Sequence, residues 1–140
     1  MTQASIDTSL TPAALVNEYL RVVIIPDPVA ARRFVSPELR IRFTGGRAMR
    51  DPAECTAFTA GRYRWVKKRI ERTEAVAGAT PDESVVYSLG TLHGEWPDGT
   101  AIEGNRYVDR YVVRHGLITE QEVWNDSAEW LLVRAGLVTL

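Results

Sequence analysis

In the first half of the chain the apolar positions recur at helical spacing. After Thr11-Pro12, residues Leu15, Val16, Tyr19, Leu20 and Val23 fall on one face of a helix. Thr11-Pro12 is repeated in kind by Asp27-Pro28 and Asp51-Pro52. In each, a side-chain oxygen can cap free backbone amides, and proline takes the first helical position, where its missing N–H costs nothing. Glu54 adds the partner that a capping box needs. These signals predict a helix from Pro12 to about Ile25-Pro26 and a short one over Pro28 to Val35, anchored by Phe34 and stopped by Ser36-Pro37. A third runs from Pro52 to about Val66, with Cys55, Phe58, Arg62 and Trp65 along one side. From Leu39 to Phe43 apolar residues alternate with Arg40 and Arg42, the period of a strand, and Gly45-Gly46 turns it.

The second half changes period. Four β-rich segments, Arg69 to Ala77, Ser84 to Glu95, Thr100 to Val113 and Leu117 to Asp126, are separated by Pro81-Asp82-Glu83, Pro97-Asp98-Gly99 and Arg114-His115-Gly116. Helices first and a meander afterwards predict an α+β domain, three N-terminal helices packed on a curved antiparallel sheet. Ser127 to Ala135 forms a last helical turn, with Trp130 and Leu131 docking back. Residues 1–140 form one domain, with 1–11 as a disordered arm.

Parity along the strands assigns faces. In the third segment Asn105, Tyr107, Asp109, Tyr111 and Val113 share one side, and Arg106, Val108, Arg110 and Val112 the other. Long arginines seldom point into an apolar core, so Tyr107, Asp109 and Tyr111 face inward. The same reading turns Gln121, Val123 and Asn125 inward and leaves Trp124 outside, as a mark of a homodimer interface on the outer sheet face. It also places His93 with Leu89 and Thr91, on the inward side.

Composition removes several classes of function. The chain has 140 residues, with 17 Lys and Arg against 18 Asp and Glu, so no global field recruits nucleic acid or an anionic membrane. The densest basic run, Arg62, Arg64, Lys67, Lys68, Arg69 and Arg72 around Tyr63 and Trp65, is followed by Glu74 and reads as a solvated helix end. No segment approaches the roughly 20 apolar residues of a membrane span, and no secretory leader is visible, so a cytoplasmic location is expected. A single cysteine, Cys55, and two distant histidines offer no metal site, and phosphate-loop, dinucleotide and serine-elbow motifs are missing; no cofactor is expected.

The order helix, helix, strand, helix, meander resembles the nuclear transport factor 2-like superfamily, with its SnoaL-like polyketide cyclases and ketosteroid isomerases. The likeness is carried by Asn17-Glu18-Tyr19-Leu20-Arg21-Val22-Val23, Asp51-Pro52-Ala53-Glu54 and Val113-Arg114-His115-Gly116-Leu117-Ile118. It implies a cone-shaped barrel with a mostly apolar pocket between helices and sheet, often dimeric. Tyr19 resembles the catalytic tyrosine of ketosteroid isomerases, and Asp109 their second oxyanion donor, an aspartic acid kept protonated. The resemblance stops at their general base, since Arg40-Ile41-Arg42-Phe43 supplies no carboxylate. The Asp-Arg-Asp set of the epoxide hydrolase branch is replaced by Leu89, Thr91 and Val123.

The candidate chemistry therefore centres on Asp109 as acid–base group, Tyr19 as donor to a developing oxyanion and His93 as proton shuttle. Gln121 and Asn125 are placed to orient a carbonyl or hydroxyl. Tyr107, Tyr111, Phe58 and Trp65 would wall the pocket, and Arg42 or Arg62 would hold a carboxylate. Two readings stay open. One is a cofactor-free isomerase, cyclase or dehydratase acting on a small apolar oxygenated or aromatic molecule. The other is a non-catalytic ligand-binding or dimerisation domain of the same shape.

Overall fold

A computed structural model describes residues 10–140. Of the arm expected over 1–11, residues 1–9 lie outside the described residues, whereas Leu10 packs against the core and Thr11 Oγ1 accepts the Ala14 N–H at 3.2 Å. All three proline-led starts are helix N-termini. Helix α1 spans Pro12–Val23, α2 Pro28–Ala31 and α3 Pro52–Arg62. Asp51 and Glu54 close a reciprocal capping box on α3.

Six strands follow the order β2-β1-β6-β5-β4-β3, where β1 is Val35–Phe43, β2 Arg47–Met49, β3 Trp65–Ala77, β4 Glu83–Glu95, β5 Ala101–Arg114 and β6 Leu117–Asn125. All neighbours are antiparallel except β1 and β6, which run parallel. Helix α4, Ser127–Arg134, is the last element of the described residues. The architecture is α+β, helices packed on a curved sheet. The tightest hairpin, β5 to β6, turns on His115 and Gly116, both at positive φ (51° and 73°), as a two-residue turn matched to strand twist demands.

Three boundaries differ from the sequence expectation. The second helix is only a turn of α-helix followed by a 3-10 turn over Arg32–Phe34, and β1 starts at Val35 and passes through Ser36-Pro37. Strand β2 was not foreseen. Helix α3 stops at Arg62, because Tyr63 turns extended (φ −119°, ψ 148°) to stack on Trp96 at 5.5 Å. Trp65 therefore begins a strand instead of riding on the helix.

The core lies between α1 and the inner sheet face. Leu15, Val16, Tyr19, Leu20 and Val22 of α1 meet Leu39 and Ile41 of β1, Val86 of β4, Tyr111 of β5 and Ile118 of β6. Each such side chain contributes about 1.5–3 kcal/mol when fully buried, so α1 is held firmly across the sheet. One irregularity matters for the site. Between Ile70 and Arg72 the β3–β4 register slips, leaving Glu71 as an extra, bulged residue. Lys68, opposite Leu92, and Thr73, opposite Ser88, thus both lie on the inner face although they are five positions apart, an odd offset that would put them on opposite faces of a regular strand. Close by, a Cβ on Gly90 would stand 1.9 Å from the Arg69 carbonyl oxygen, so only glycine permits this approach of the two backbones.

Candidate active site

A cavity of about 240 Å³ opens between the C-terminal half of α1, the inner side of α3 and the inner face of β3 to β6. Its walls are mainly apolar, from Leu20, Val23, Phe43, Leu92 and Val123. Among its polar groups are Tyr19 of α1, Lys68 of β3, Tyr107 and Asp109 of β5, and Gln121 and Asn125 of β6.

Asp109 is wholly buried and ion-paired through Oδ2 with Lys68 Nζ. The Tyr111 hydroxyl donates to the same oxygen at 3.0 Å. Among the described residues Oδ1 has no hydrogen-bond partner. Lys68 is 15% exposed and lies 4.1 Å above the centre of the Tyr107 ring, so the ammonium is held by a carboxyl group and an aromatic face at once. Tyr107 in turn is fixed by a 2.9 Å hydrogen bond with the Ser88 hydroxyl.

Tyr19 donates from its hydroxyl to Gln121 Oε1 at 2.8 Å, and its ring meets Tyr111 edge-on at 6.0 Å. Burial, reinforced by the nearby Cys55 and by Asp109, pushes its hydroxyl well above the ordinary phenol range. Burial does the same to Tyr111, with Asp109 adding to it, and takes Tyr107 up to about 12. All three are therefore neutral donors near pH 7. The Cys55 thiol, pushed by burial up to about 12, stays protonated and lies 3.6 Å from Met49 Sδ.

A second polar knot closes one end of the cavity. The Tyr63 hydroxyl donates to Ser127 Oγ at 2.5 Å, Asn105 Nδ2 donates to the same oxygen at 3.2 Å, and the Ser127 N–H donates to Asn125 Oδ1 at 3.1 Å. This ties the first turn of α4 to the cavity wall.

Of the residues expected from sequence, Asp109, Tyr19, Gln121, Asn125 and Tyr107 line the cavity together. Tyr111 stands behind Asp109 and orients it. Trp65 reaches the cavity rim from β3 and is 43% exposed. Tyr111 itself does not line the cavity, and three further expected residues do not either. His93 lies beside Lys67 in the β3–β4 ladder, on the face opposite Leu92, and meets the Trp65 ring edge-on at 5.9 Å, outside the cavity lining. Inward β4 positions are taken by Ser88, Gly90, Leu92 and Gly94, so His93 cannot shuttle protons there. Arg42 is exposed, because Leu39 and Ile41 take the inner side of β1. Phe58 turns to the flank of α3, packing on Phe43 at 5.1 Å under the guanidinium of Arg62.

The group that sequence reasoning missed is Lys68. Its signal lay in a basic run that reads as a solvated helix end, whereas the run belongs to β3 and its alternation points Lys68 inward. Among the described residues no cluster of three or more His, Cys, Asp or Glu side chains is placed to hold a metal ion. No helix among them is long and apolar enough to cross a membrane.

Comparison with known proteins separates shape from sequence. No protein-family model matches the chain, and no curated protein matches it. Solved structures do. A nuclear transport factor 2-like protein of unknown function from Burkholderia pseudomallei superposes with a TM-score of 0.67 at 18% identity, over 90% of this chain and 95% of that one. TerC, crystallised with polyporic acid, gives 0.65 at 14% identity, over 86% and 96%. A candidate SnoaL-like polyketide cyclase from Jannaschia sp. CCS1 gives 0.60 at 15%, over 94% and 95%. Identities this low carry architecture and no activity. By that architecture, the chain has the nuclear transport factor 2-like fold.

Proposed function

We propose that the protein is a SnoaL-like enzyme that moves a proton on a small, largely apolar carbonyl compound, in an isomerisation, cyclisation or dehydration. The carrying observation is Asp109, fully buried at an apolar cavity, with Oδ2 held by Lys68 and Tyr111 and Oδ1 without a partner among the described residues. A carboxyl group fixed on one oxygen and free on the other is arranged to take a proton from carbon and return it elsewhere. Negative charge developing on the substrate oxygen would be met by the Tyr19 hydroxyl and the Lys68 ammonium. Gln121, now accepting from Tyr19, and Asn125 orient the substrate. Neighbours of the same fold that are candidate ketosteroid isomerases or polyketide cyclases support the reading, as does one crystallised with polyporic acid.

The test is deuterium incorporation from heavy water into phenylacetone, followed by proton NMR. Wild type is expected to exchange the α-hydrogens, Asp109→Asn to lose the exchange, and Tyr19→Phe to slow it by about 100-fold. A wild type that exchanges no faster than Asp109→Asn refutes catalysis. Ligand-induced thermal stabilisation without turnover would then support the binding-domain reading.

A further inference from the structure

We propose that Lys68 is a covalent amine catalyst, its Nζ condensing with the carbonyl carbon of an aldehyde or ketone seated in the cavity. The inference rests on the proton-transfer reading of the same site and adds the way the substrate is held. Of the 17 Lys and Arg residues only two are lysine, Lys67 and Lys68, and both line this cavity. The distinction is chemical: arginine stays charged at every accessible pH, whereas lysine can give up its proton and become a nucleophile. The two lysines are not equivalent. Lys67 Nζ is spent on the Ile24 carbonyl at the end of α1, 3.2 Å away, and makes no ion pair among the described residues. Lys68 Nζ contacts a carboxyl group that can accept its proton, under an aromatic ring and 15% exposed.

Nζ is in direct contact with the Asp109 carboxyl group, which is placed to receive a proton as the amine reacts. Proton transfer from Nζ to Asp109 frees the nitrogen lone pair. That pair attacks the carbonyl carbon, a C–N bond forms, and the C=O π electrons move to oxygen, which takes a proton from Asp109. The second nitrogen proton then passes through Asp109 to the new hydroxyl, which leaves as water as the C=N bond forms. No oxidant or reductant enters. The protonated imine acidifies the adjacent C–H, and the free Asp109 oxygen is the base beside it.

The test incubates the wild type with phenylacetone and sodium borohydride, which reduces any imine to a stable amine, and maps adducts by peptide mass spectrometry. The expected product is one adduct per chain, the probe mass less one oxygen, on Lys68. Labelling should be about 100-fold faster there than at Lys67, the lower end of what a positioned acid–base group contributes. Lys68→Arg is expected to lose the adduct while melting cooperatively. Because Lys67 and the urea-unfolded chain serve as internal references, the wild-type measurement stands even if that variant fails to fold. Equal labelling of the two lysines, or no labelling above the unfolded chain, overturns the proposal. If α-hydrogen exchange persists without a trapped adduct, covalent catalysis is wrong and the Asp109 reading survives. An adduct on Lys68 without exchange supports the amine chemistry and refutes Asp109 as the base.

Discussion

Removing Lys68 should cost far more than removing the charge it pairs with. In Lys68→Met the stem keeps its packing on Tyr107, but Asp109, 0% exposed, loses its counter-ion and keeps a single donor, the Tyr111 hydroxyl. Stranding a buried charge typically costs about 3–5 kcal/mol. Some water reaches Lys68, which is 15% exposed, so the lower end, about 3 kcal/mol, applies. With an unfolding entropy of about 2.1 cal/mol/K per residue, that is a drop in Tm of roughly 10 °C for a domain of this size. Asp109→Asn instead leaves an ammonium at the cavity, where solvent and the Tyr107 ring still serve it, and retains an acceptor for Tyr111. Its expected cost is about 1 kcal/mol, that of one hydrogen bond. The double variant carries no buried charge and should be more stable than Lys68→Met alone, with a coupling energy of about 2 kcal/mol. Urea unfolding followed by circular dichroism at pH 7 measures all three. If Lys68→Met is as mild as Asp109→Asn and the two effects add, the buried pair does not exist as described.

Three further outcomes follow from other parts of the molecule. Gly90→Ala should destabilise the fold by about 3 kcal/mol, the upper end for overpacking, since its Cβ would meet backbone at 1.9 Å; a melting temperature within 2 °C of wild type, roughly half a kcal/mol, contradicts that. The Thr100 hydroxyl and N–H, with Arg134, hold Asp98 at about 2, below the ordinary carboxylate value. Stability from this group is complete above about pH 4 and is lost as pH falls toward 2, so Asp98→Asn should lower the melting temperature at pH 7 and converge with wild type as pH falls through that window; equal melting temperatures at pH 7 contradict it. Finally, Trp124 is 52% exposed on the outer face of β6, and we propose that this face pairs two copies; Trp124→Glu should then shift sedimentation from dimer to monomer, whereas a monomeric wild type rejects the idea.

What could be read from the sequence was what the periodicity made redundant. The helix starts carried at least two independent signals each, a capping side chain and a proline, and β5 declared its faces because Arg106 and Arg110 sit on one side while Tyr107, Asp109 and Tyr111 sit on the other. Where side chains are small, hydropathy stops reporting orientation. The inner face of β4 is Ser88, Gly90, Leu92 and Gly94, chosen for the close approach of β3 backbone, so His93 was assigned to the wrong side. Lys68 was hidden by two non-local facts, the end of α3 set by Tyr63 on Trp96 and the buried carboxyl group on β5. Charge in a sequence reads as solvent until its partner, 41 residues away, is placed.

The bulge at Glu71 gives strand β3 two separate addresses. Beyond it, Thr73 is bonded to Asn17 of α1 at 2.9 Å, a contact that belongs to the scaffold; before it, Lys68 belongs to the cavity. A gain or loss of one residue between Lys68 and Ile70 would turn Lys68 to the other face and leave the scaffold half in register. Related chains can therefore install or withdraw the amine by a change of length, without altering a single residue that holds the helices to the sheet.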